Sequence, residues 1–235
     1  MLFRSIQDNI LAAHEIFHSF HTNKRKRVNR RWMALKIDME KAYDKIDWNF
    51  IYDVMRKFGF SEKWITIIQQ CLETCSLSIL VNNQPGQEFN PSCGIRQGDP
   101  IAPFIFIIAM EFLTRKLTSI SQQPSKNIGI QLTKNGMTIP MLSFADDTII
   151  FAKAKTENAL FIKNLLQEFG QVSGLQINYN KSSLQVSSNV PATVINQLTQ
   201  ILGVKSTTCL EKYLGIPLVK GRIRREVFND LLNSI

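Results

Sequence analysis

Two apolar segments of this sequence end in carboxylates, and this feature restricts the possible folds more than any other. Asp38 stands at the end of a strand predicted over residues 32–39. Asp146 and Asp147 lie in a turn between two further apolar strands. A carboxylate beside an apolar core is unfavourable unless it is paired or binds a cation. The fold therefore has to supply a partner for these side chains.

The adjacent carboxylates of Asp146 and Asp147 have two interpretations. They repel each other, and a divalent metal would relieve that repulsion, so a fold that brings them to Asp38 would form a Mg²⁺ site. Alternatively, the pair is only a turn dipeptide, because aspartate is favoured in turns. The dipeptide alone does not decide between the two.

The composition is typical of a globular protein that handles a polyanion. The 235 residues include 28 Lys and Arg against 19 Asp and Glu, which gives a formal net charge of +9. Such an excess of positive charge makes nucleic acid the first candidate for a binding partner. Residues 24–31 contain six basic side chains, interpreted as a solvated loop, a phosphate contact or a nuclear-import signal. The longest apolar run, residues 101–110, reaches about half of a bilayer span, which argues against a membrane protein.

The hydrophobic periodicity predicts helices and strands mixed without strict alternation, which indicates an α+β fold. Helices are predicted over residues 5–21, 47–58, 61–75, 100–120, 156–174 and 191–203, with a polar helix running to residue 235. Strands are predicted over residues 32–39, 76–81, 87–90, 141–144, 148–152, 175–179, 183–187 and 213–218. Turns at residues 82–86 and at Asn135-Gly136 predict hairpins.

Six short motifs follow one another along nearly the whole chain. They are SIQDNI at 5–10, KIDMEKAYD at 36–44, GIRQGDP with PF at 94–104, FADD at 144–147, GLQIN with KS at 174–182, and YLGIP at 213–217. In this order they resemble a fingers segment and five palm motifs of reverse transcriptases from non-LTR (LINE-type) retrotransposons, particularly those of plants. Met141 stands where that family often has histidine.

This resemblance implies an RNA-directed DNA polymerase. Its fold would be a reverse-transcriptase palm, a small antiparallel sheet backed by helices, with partial fingers and no thumb. Asp38 and Asp146 would bind two Mg²⁺ ions, or Mn²⁺ in their place, with Asp147 assisting. Nucleotides from deoxynucleoside triphosphates would be added to the 3′-hydroxyl of a DNA primer on an RNA template, with release of pyrophosphate.

The resemblance also implies residues that contact the substrate. Tyr43 matches the position that lies under the incoming sugar and rejects a 2′-hydroxyl, with a core tyrosine as the alternative. Gln97 and Gly98 match the loop beside the nascent base pair. Arg96 would contact either phosphate or template, and the sequence does not choose.

Two later motifs supply the remaining candidates. Lys181 matches a lysine assigned as general acid to pyrophosphate, and a surface lysine is the alternative. Tyr213, Leu214 and Gly215 match the strand that grips the primer.

The match predicts a single reverse-transcriptase domain fragment. Residues 1–31 and 61–93 would be fingers-like, residues 32–60 and 94–220 palm, and residues 221–235 the start of a connection to a thumb. The resemblance implies that the thumb, the endonuclease and the first fingers strands belong to missing regions of a parent polyprotein. We expect an intracellular, nuclear location. The alternatives are an inactive nucleic-acid-binding remnant and, less favoured, a group II intron maturase.

Overall fold

The computed structural model describes residues 6–22, 31–123, 127–132, 136–144, 147–208, 212–214 and 216–217, and it confirms the α+β class. The helices are α1 (Ile6–Thr22), α2 (Ala42–Lys45), α3 (Trp48–Lys57), α4 (Glu62–Glu73), α5 (Ala102–Ser121), α6 (Thr156–Ser173) and α7 (Ala192–Leu202). The strands are β1 (Trp32–Ile37), β2 (Met39–Glu40), β3 (Leu77–Val81), β4 (Gln84–Phe89), β5 (Met141–Phe144), β6 (Asp147–Lys153), β7 (Gln176–Ile177), β8 (Ser183–Val186), β9 (Lys205–Thr207), β10 (Lys212–Tyr213) and β11 (Ile216–Pro217).

The described residues divide into two compact units. Unit 1 draws on Met1–Asp38, Thr114–Leu166 and Ile177–Ile235, and unit 2 draws on Met39–Leu113 and Gln167–Gln176. This division follows contacts between residues rather than function, so the predicted assignment of fingers-like and palm segments stays a prediction.

Unit 1 is built on a five-stranded sheet with the order β5-β6-β1-β8-β9. The central strand β1 is antiparallel to both of its neighbours, as predicted. The edge strand β9 was not predicted and pairs parallel to β8, so the small antiparallel sheet that was predicted is extended by one parallel strand. The reason is the connection between the two strands, because a helical crossover such as α7 permits parallel pairing.

Helix α1 covers one face of this sheet. The ring of Phe17 packs against Phe20 and Phe151, with centroids 5.5 and 6.2 Å apart. The helical spacing of the apolar residues in α1 places them on the side that packs against the sheet. The resulting cluster consists of Ala12, Ala13, Ile16, Phe17, Phe20, Ala34, Ile130, Ile139, Leu142, Ile149, Phe151 and Tyr213.

Unit 2 is mainly helical and carries the hairpin β3–β4. Its aromatic centre is Phe50 of α3, which meets the rings of Phe112 and Phe169 edge-on at 5.7 and 5.8 Å. Asp47 caps α3, because its carboxylate accepts a hydrogen bond from the Phe50 backbone N–H at 2.8 Å. Helix α3 therefore begins at the position that the sequence predicted.

Two hairpins differ from their predicted form. The turn between β3 and β4 consists of Asn82 and Asn83, both left-handed with φ of 50° and 62°, rather than five residues. Asparagine tolerates this conformation, and two such residues suit the twist of a tight hairpin. The predicted strand 213–218 is instead split into β10 and β11 on either side of Leu214, whose φ is 52°.

Other predicted features lie wholly or partly outside the described residues. The Asn135-Gly136 turn is one, although Ile130 and Ile139 on either side of it exchange two backbone hydrogen bonds of 2.9 and 2.8 Å. The terminal helix and most of the basic run at 24–31 are others. Within the described parts of the chain, no helix is long and apolar enough to cross a membrane.

Candidate active site

The register of β1 and β6 brings two of the predicted carboxylates to the same end of the sheet. Ile37 is paired with Thr148 as the last pair of the antiparallel ladder, and the residues beside this pair are Asp38 and Asp147, the first residue of β6. We infer from the register that these two residues face each other, and opposed residues point to the same face of a sheet. Since facing like charges are destabilising, this edge of unit 1 is suited to hold a cation.

A turn after β7 fixes the position of Asp38. The Asp38 backbone N–H donates to the Ser182 hydroxyl at 3.1 Å, and its carbonyl accepts from the Asn178 N–H at 2.9 Å. The same turn carries Lys181, whose backbone N–H donates to the Asn178 side chain at 3.2 Å. The structure therefore brings the Lys181 motif against the backbone of Asp38 and leaves Lys181 exposed.

An unpredicted residue, Lys36, contacts Asp147. Its ammonium lies 3.1 Å from a carboxylate oxygen of Asp147. Lys36 shares the face of Asp38 because the two are separated by one residue of an extended segment. The two-residue spacing of Lys36 and Asp38 in a predicted strand could have identified Lys36 from the sequence, but the motifs did not draw attention to it.

The donor set fits a hard divalent cation. Carboxylate oxygens are the ligands that Mg²⁺ prefers, and the ammonium against Asp147 shows that this edge already attracts a positive charge. Asp146 lies outside the described residues, so its place at the site stays a prediction. Within the described residues, no group of three or more His, Cys, Asp or Glu side chains forms a metal cluster.

Tyr213, predicted for primer contact, is a buried residue of unit 1. Its side chain is 1% exposed and belongs to the cluster under α1. Its hydroxyl has no hydrogen-bond partner among the described residues. Burial, and then the charge of Asp147, raise the pKa of Tyr213. Leu214 packs partly buried against the same cluster, Gly215 lies outside the described residues, and their role in primer binding stays a prediction.

In unit 2, the loop that carries the second palm motif is fixed to the end of the first motif and to the residues that follow it. The Gly94 N–H donates to the carbonyl of Ile46 at 2.8 Å, and the Ile95 N–H donates to the carbonyl of Tyr43 at 2.7 Å. The indole N–H of Trp48 donates to the Gly94 carbonyl at 2.6 Å. Sequence reasoning missed Trp48, since these partners are distant along the chain.

Tyr43 stacks on a buried phenylalanine. Its ring lies parallel to that of Phe106, with 5.0 Å between centroids and 13° between planes. The side chain is half-buried. This stacking orients the ring, and it suits a steric gate as well as a packing role.

The side chains of the loop itself differ in how they are held. The guanidinium of Arg96 pairs with the Asp99 carboxylate at 2.8 Å, so Arg96 is oriented by its own loop. The other Asp99 oxygen accepts from the Ile101 N–H at 3.1 Å. Gln97 and Gly98 are exposed and so are accessible to a ligand.

A groove of about 600 Å³ opens beside this loop. A volume of several hundred Å³ is typical of pockets for small ligands and cofactors. The groove is lined by Asp44, Trp48, Leu72, Cys75, Leu77, Pro91, Cys93, Gly94, Ile95, Arg96 and Gln97. The motifs identified Arg96 and Gln97, which form the polar end of the groove. They did not predict its apolar wall, which comes from α3, α4 and β3.

Residues 2–218 match the family described as reverse transcriptase (RNA-dependent DNA polymerase). The chain belongs to this family. Reverse transcriptases as a family use divalent metal ions.

Two of the curated relatives are Pol polyproteins of retrotransposable elements. The chain is 26% identical to the Pol polyprotein of the type-2 retrotransposable element R2DM of Drosophila melanogaster, over 83% of this chain and 18% of the relative. It is 27% identical to the Pol polyprotein of a type-1 element R2 of Popillia japonica, over 74% of this chain and 23% of the relative. These relatives confirm the predicted resemblance to non-LTR retrotransposon enzymes, and the chain spans about a fifth of their length.

Solved structures confirm the fold. Telomerase from Candida tropicalis, in complex with a fragment of telomeric RNA, matches with a TM-score of 0.58 and 12% identity, over 79% of this chain and 30% of that one. The apo enzyme truncated from its C-terminal domain gives a TM-score of 0.59 at 12% identity, over 81% and 36%.

Proposed function

We propose that this chain is the catalytic part of a non-LTR retrotransposon reverse transcriptase and adds deoxynucleotides to a DNA primer on an RNA template. The observation that supports this most strongly is that the ladder of β1 and β6 ends at the pair Ile37 and Thr148, directly beside Asp38 and Asp147. Family membership over residues 2–218 agrees with it.

The proposed mechanism is two-metal nucleotidyl transfer. Asp38, Asp146 and Asp147 would hold two Mg²⁺ ions, or Mn²⁺ in their place. When bound, such ions supply activation of the primer 3′-hydroxyl and stabilisation of the leaving pyrophosphate. The backbone hydrogen bonds of Asp38 to Ser182 and Asn178 keep its carboxylate in place, since they fix the end of β1.

Other side chains would act on the substrates. The exposed ammonium of Lys181 would donate a proton to pyrophosphate, and the ring of Tyr43 would exclude a 2′-hydroxyl. The groove beside residues 94–98 would take a nucleotide of the template or the nascent pair, with Gln97 at its polar end. Tyr213, Leu214 and Gly215 would support the primer strand from within unit 1.

The polynucleotide partners are supported by charge and by structural likeness. A formal net charge of +9 favours phosphate backbones, and one structural neighbour was solved with an RNA fragment. A nuclear location is proposed on the basic run at 24–31 of the sequence.

Primer extension by the purified chain tests this function. The assay uses a labelled DNA primer on an RNA template with deoxynucleoside triphosphates and Mg²⁺, and the same mixture with excess EDTA is the control. We expect extension that requires the metal and each complementary deoxynucleotide. Salt-sensitive binding of the primer–template without extension, in Mg²⁺ and in Mn²⁺, would contradict catalysis and favour the nucleic-acid-binding remnant.

A further inference from the structure

The ion pair between Lys36 and Asp147 has no part in the mechanism above. The two charged atoms are 3.1 Å apart, and the side chains are 24% and 35% exposed. The pair is therefore partly shielded from water, where a charge interaction is stronger than at an open surface.

The strand environment restricts where the Lys36 ammonium can lie. Leu35 and Ile37, its neighbours in β1, are buried, and so is its cross-strand partner Ile149. A lysine stem packs readily along apolar surface while its head group seeks a polar partner. Asp147 and Asp38 share the face of Lys36, so the acidic strand ends supply that partner.

We propose that Lys36 is a positioning residue of the metal centre. Its ammonium balances the Asp147 carboxylate in the metal-free chain and is displaced from it when a divalent ion binds. This inference rests on the proposed function, because it takes Asp147 as a ligand of the metal.

Two consequences follow from this arrangement. Without metal, Lys36 reduces the repulsion between the facing carboxylates and holds Asp147 in one orientation. With metal, the incoming ion has to compete with a resident cation for Asp147, so Lys36 weakens the binding of metal to the free protein.

Thermal unfolding in EDTA tests the first consequence through a double-mutant cycle of Lys36→Met and Asp147→Asn. Methionine keeps the length of the stem and removes the charge. Lys36→Met should lower the melting temperature by about 2 °C in the parent chain and by less in the Asp147→Asn background, since the partner is then absent. Lys36→Arg should restore the parent value.

Lys45→Met is the matched control, because Lys45 forms a comparable ion pair with Glu40 at 3.5 Å in unit 2. Its effect should be the same in the presence and absence of Asp147→Asn. A cycle that shows no coupling between Lys36 and Asp147 would overturn the inference and leave the proposed function standing.

Binding of Mn²⁺, followed by electron paramagnetic resonance, tests the second consequence without any activity assay. Lys36→Met should bind Mn²⁺ more tightly than the parent chain by about threefold or more, because a like charge has been removed. Lys36→Arg and Lys45→Met should bind as the parent does. Equal affinity in the parent and Lys36→Met would overturn the displacement. Absence of Mn²⁺ binding in every variant would contradict both the displacement and the proposed metal centre, while the cycle in EDTA still decides whether Lys36 holds Asp147.

Discussion

The two units of the molecule hold their functional residues in different ways. In unit 1, Asp38 and Asp147 lie directly beside the last pair in a ladder of six residue pairs between β1 and β6. In unit 2, Arg96 and Gln97 lie on a loop fixed at Gly94 and Ile95 by three hydrogen bonds. The backbone of both carboxylate residues is therefore held in position by the adjoining sheet. The loop depends on a few contacts, so single substitutions should disturb it more readily.

Each unit also contains a buried tyrosine, and the two differ in their hydroxyl partners. In unit 2, the Tyr52 hydroxyl donates to Glu73 at 3.1 Å. In unit 1, the Tyr213 hydroxyl has no partner among the described residues. The buried hydroxyl of Tyr52 therefore has a hydrogen-bond partner, whereas the hydroxyl of Tyr213, which is influenced by the charge of Asp147, has none among the described residues.

The largest expected effect comes from removing a carboxylate of unit 1. Asp38→Asn should reduce primer extension to less than about a tenth, because a lost metal ligand removes several kcal/mol of transition-state stabilisation. Folding should survive, since repulsion at the strand ends is relieved. Asp53→Asn is the matched control, because Asp53 is exposed in α3 and pairs only at the surface with Arg56 at 3.1 Å. Equal extension by the two variants would refute the assignment of Asp38.

The next effect is on the loop of unit 2. An added Cβ at Gly94 would lie 2.7 Å from the Asp44 carbonyl, and Gly94 has φ of +87°. Gly94→Ala should therefore lower the free energy of unfolding by about 1–3 kcal/mol. Gly98→Ala controls for backbone strain alone, since φ there is +88° and its Cβ would meet nothing within 4 Å. Urea unfolding of both variants measures the difference, and equal losses would contradict the close packing at Gly94.

A smaller effect is expected on substrate choice. If the Tyr43 ring excludes a 2′-hydroxyl, Tyr43→Val should raise ribonucleotide use relative to deoxynucleotide use about tenfold or more, or roughly 1.4 kcal/mol. Tyr43→Phe keeps the ring and should keep the preference. Unchanged preference with a lowered melting temperature in Tyr43→Val would show that Tyr43 only packs on Phe106.

Much of unit 1 could be predicted from the sequence. Apolar segments indicated β1, β5 and β6, and the carboxylates at the strand ends were recognised as candidate metal ligands. The register and the parallel pairing of β9 could not be predicted, because they depend on contacts between distant residues. Lys36 was visible from the same alternation as Asp38, but no motif drew attention to it.

Unit 2 was less predictable. Its motif residues, such as Gln97, were identified by resemblance, whereas the contacts that hold them were not. The bond from Trp48 to Gly94 joins residues 46 positions apart, and no local pattern encodes it. The groove likewise needs side chains from separate helices.

The smallest effects concern the two tyrosines. Tyr52→Phe should destabilise the chain by about 1 kcal/mol, since it removes the bond to Glu73. Tyr213→Phe should be neutral or stabilising, because no partner among the described residues is lost. Chemical unfolding at neutral pH compares them, and a loss in Tyr213→Phe as large as that in Tyr52→Phe would show that its hydroxyl has a partner.

The pH dependence has a defined direction. Burial, followed by the bond to Glu73 and the charges of Glu73 and Asp47, raises the pKa of Tyr52. A raised folded-state pKa gives stability that is complete below the unfolded value of about 10 and is lost as pH rises above it. The stability of Tyr52→Phe should therefore fall less than that of the parent chain between about pH 9 and pH 11. Parallel curves would contradict this ionisation.

The central claim is that the paired strand ends of unit 1 bind a divalent metal, and Mn²⁺ binding measured by electron paramagnetic resonance tests it most directly. The parent chain and Asp53→Asn should bind Mn²⁺ equally. Asp38→Asn and Asp147→Asn should each bind at least about tenfold more weakly, because each removes one carboxylate ligand. Unchanged affinity in both of these variants would contradict the account.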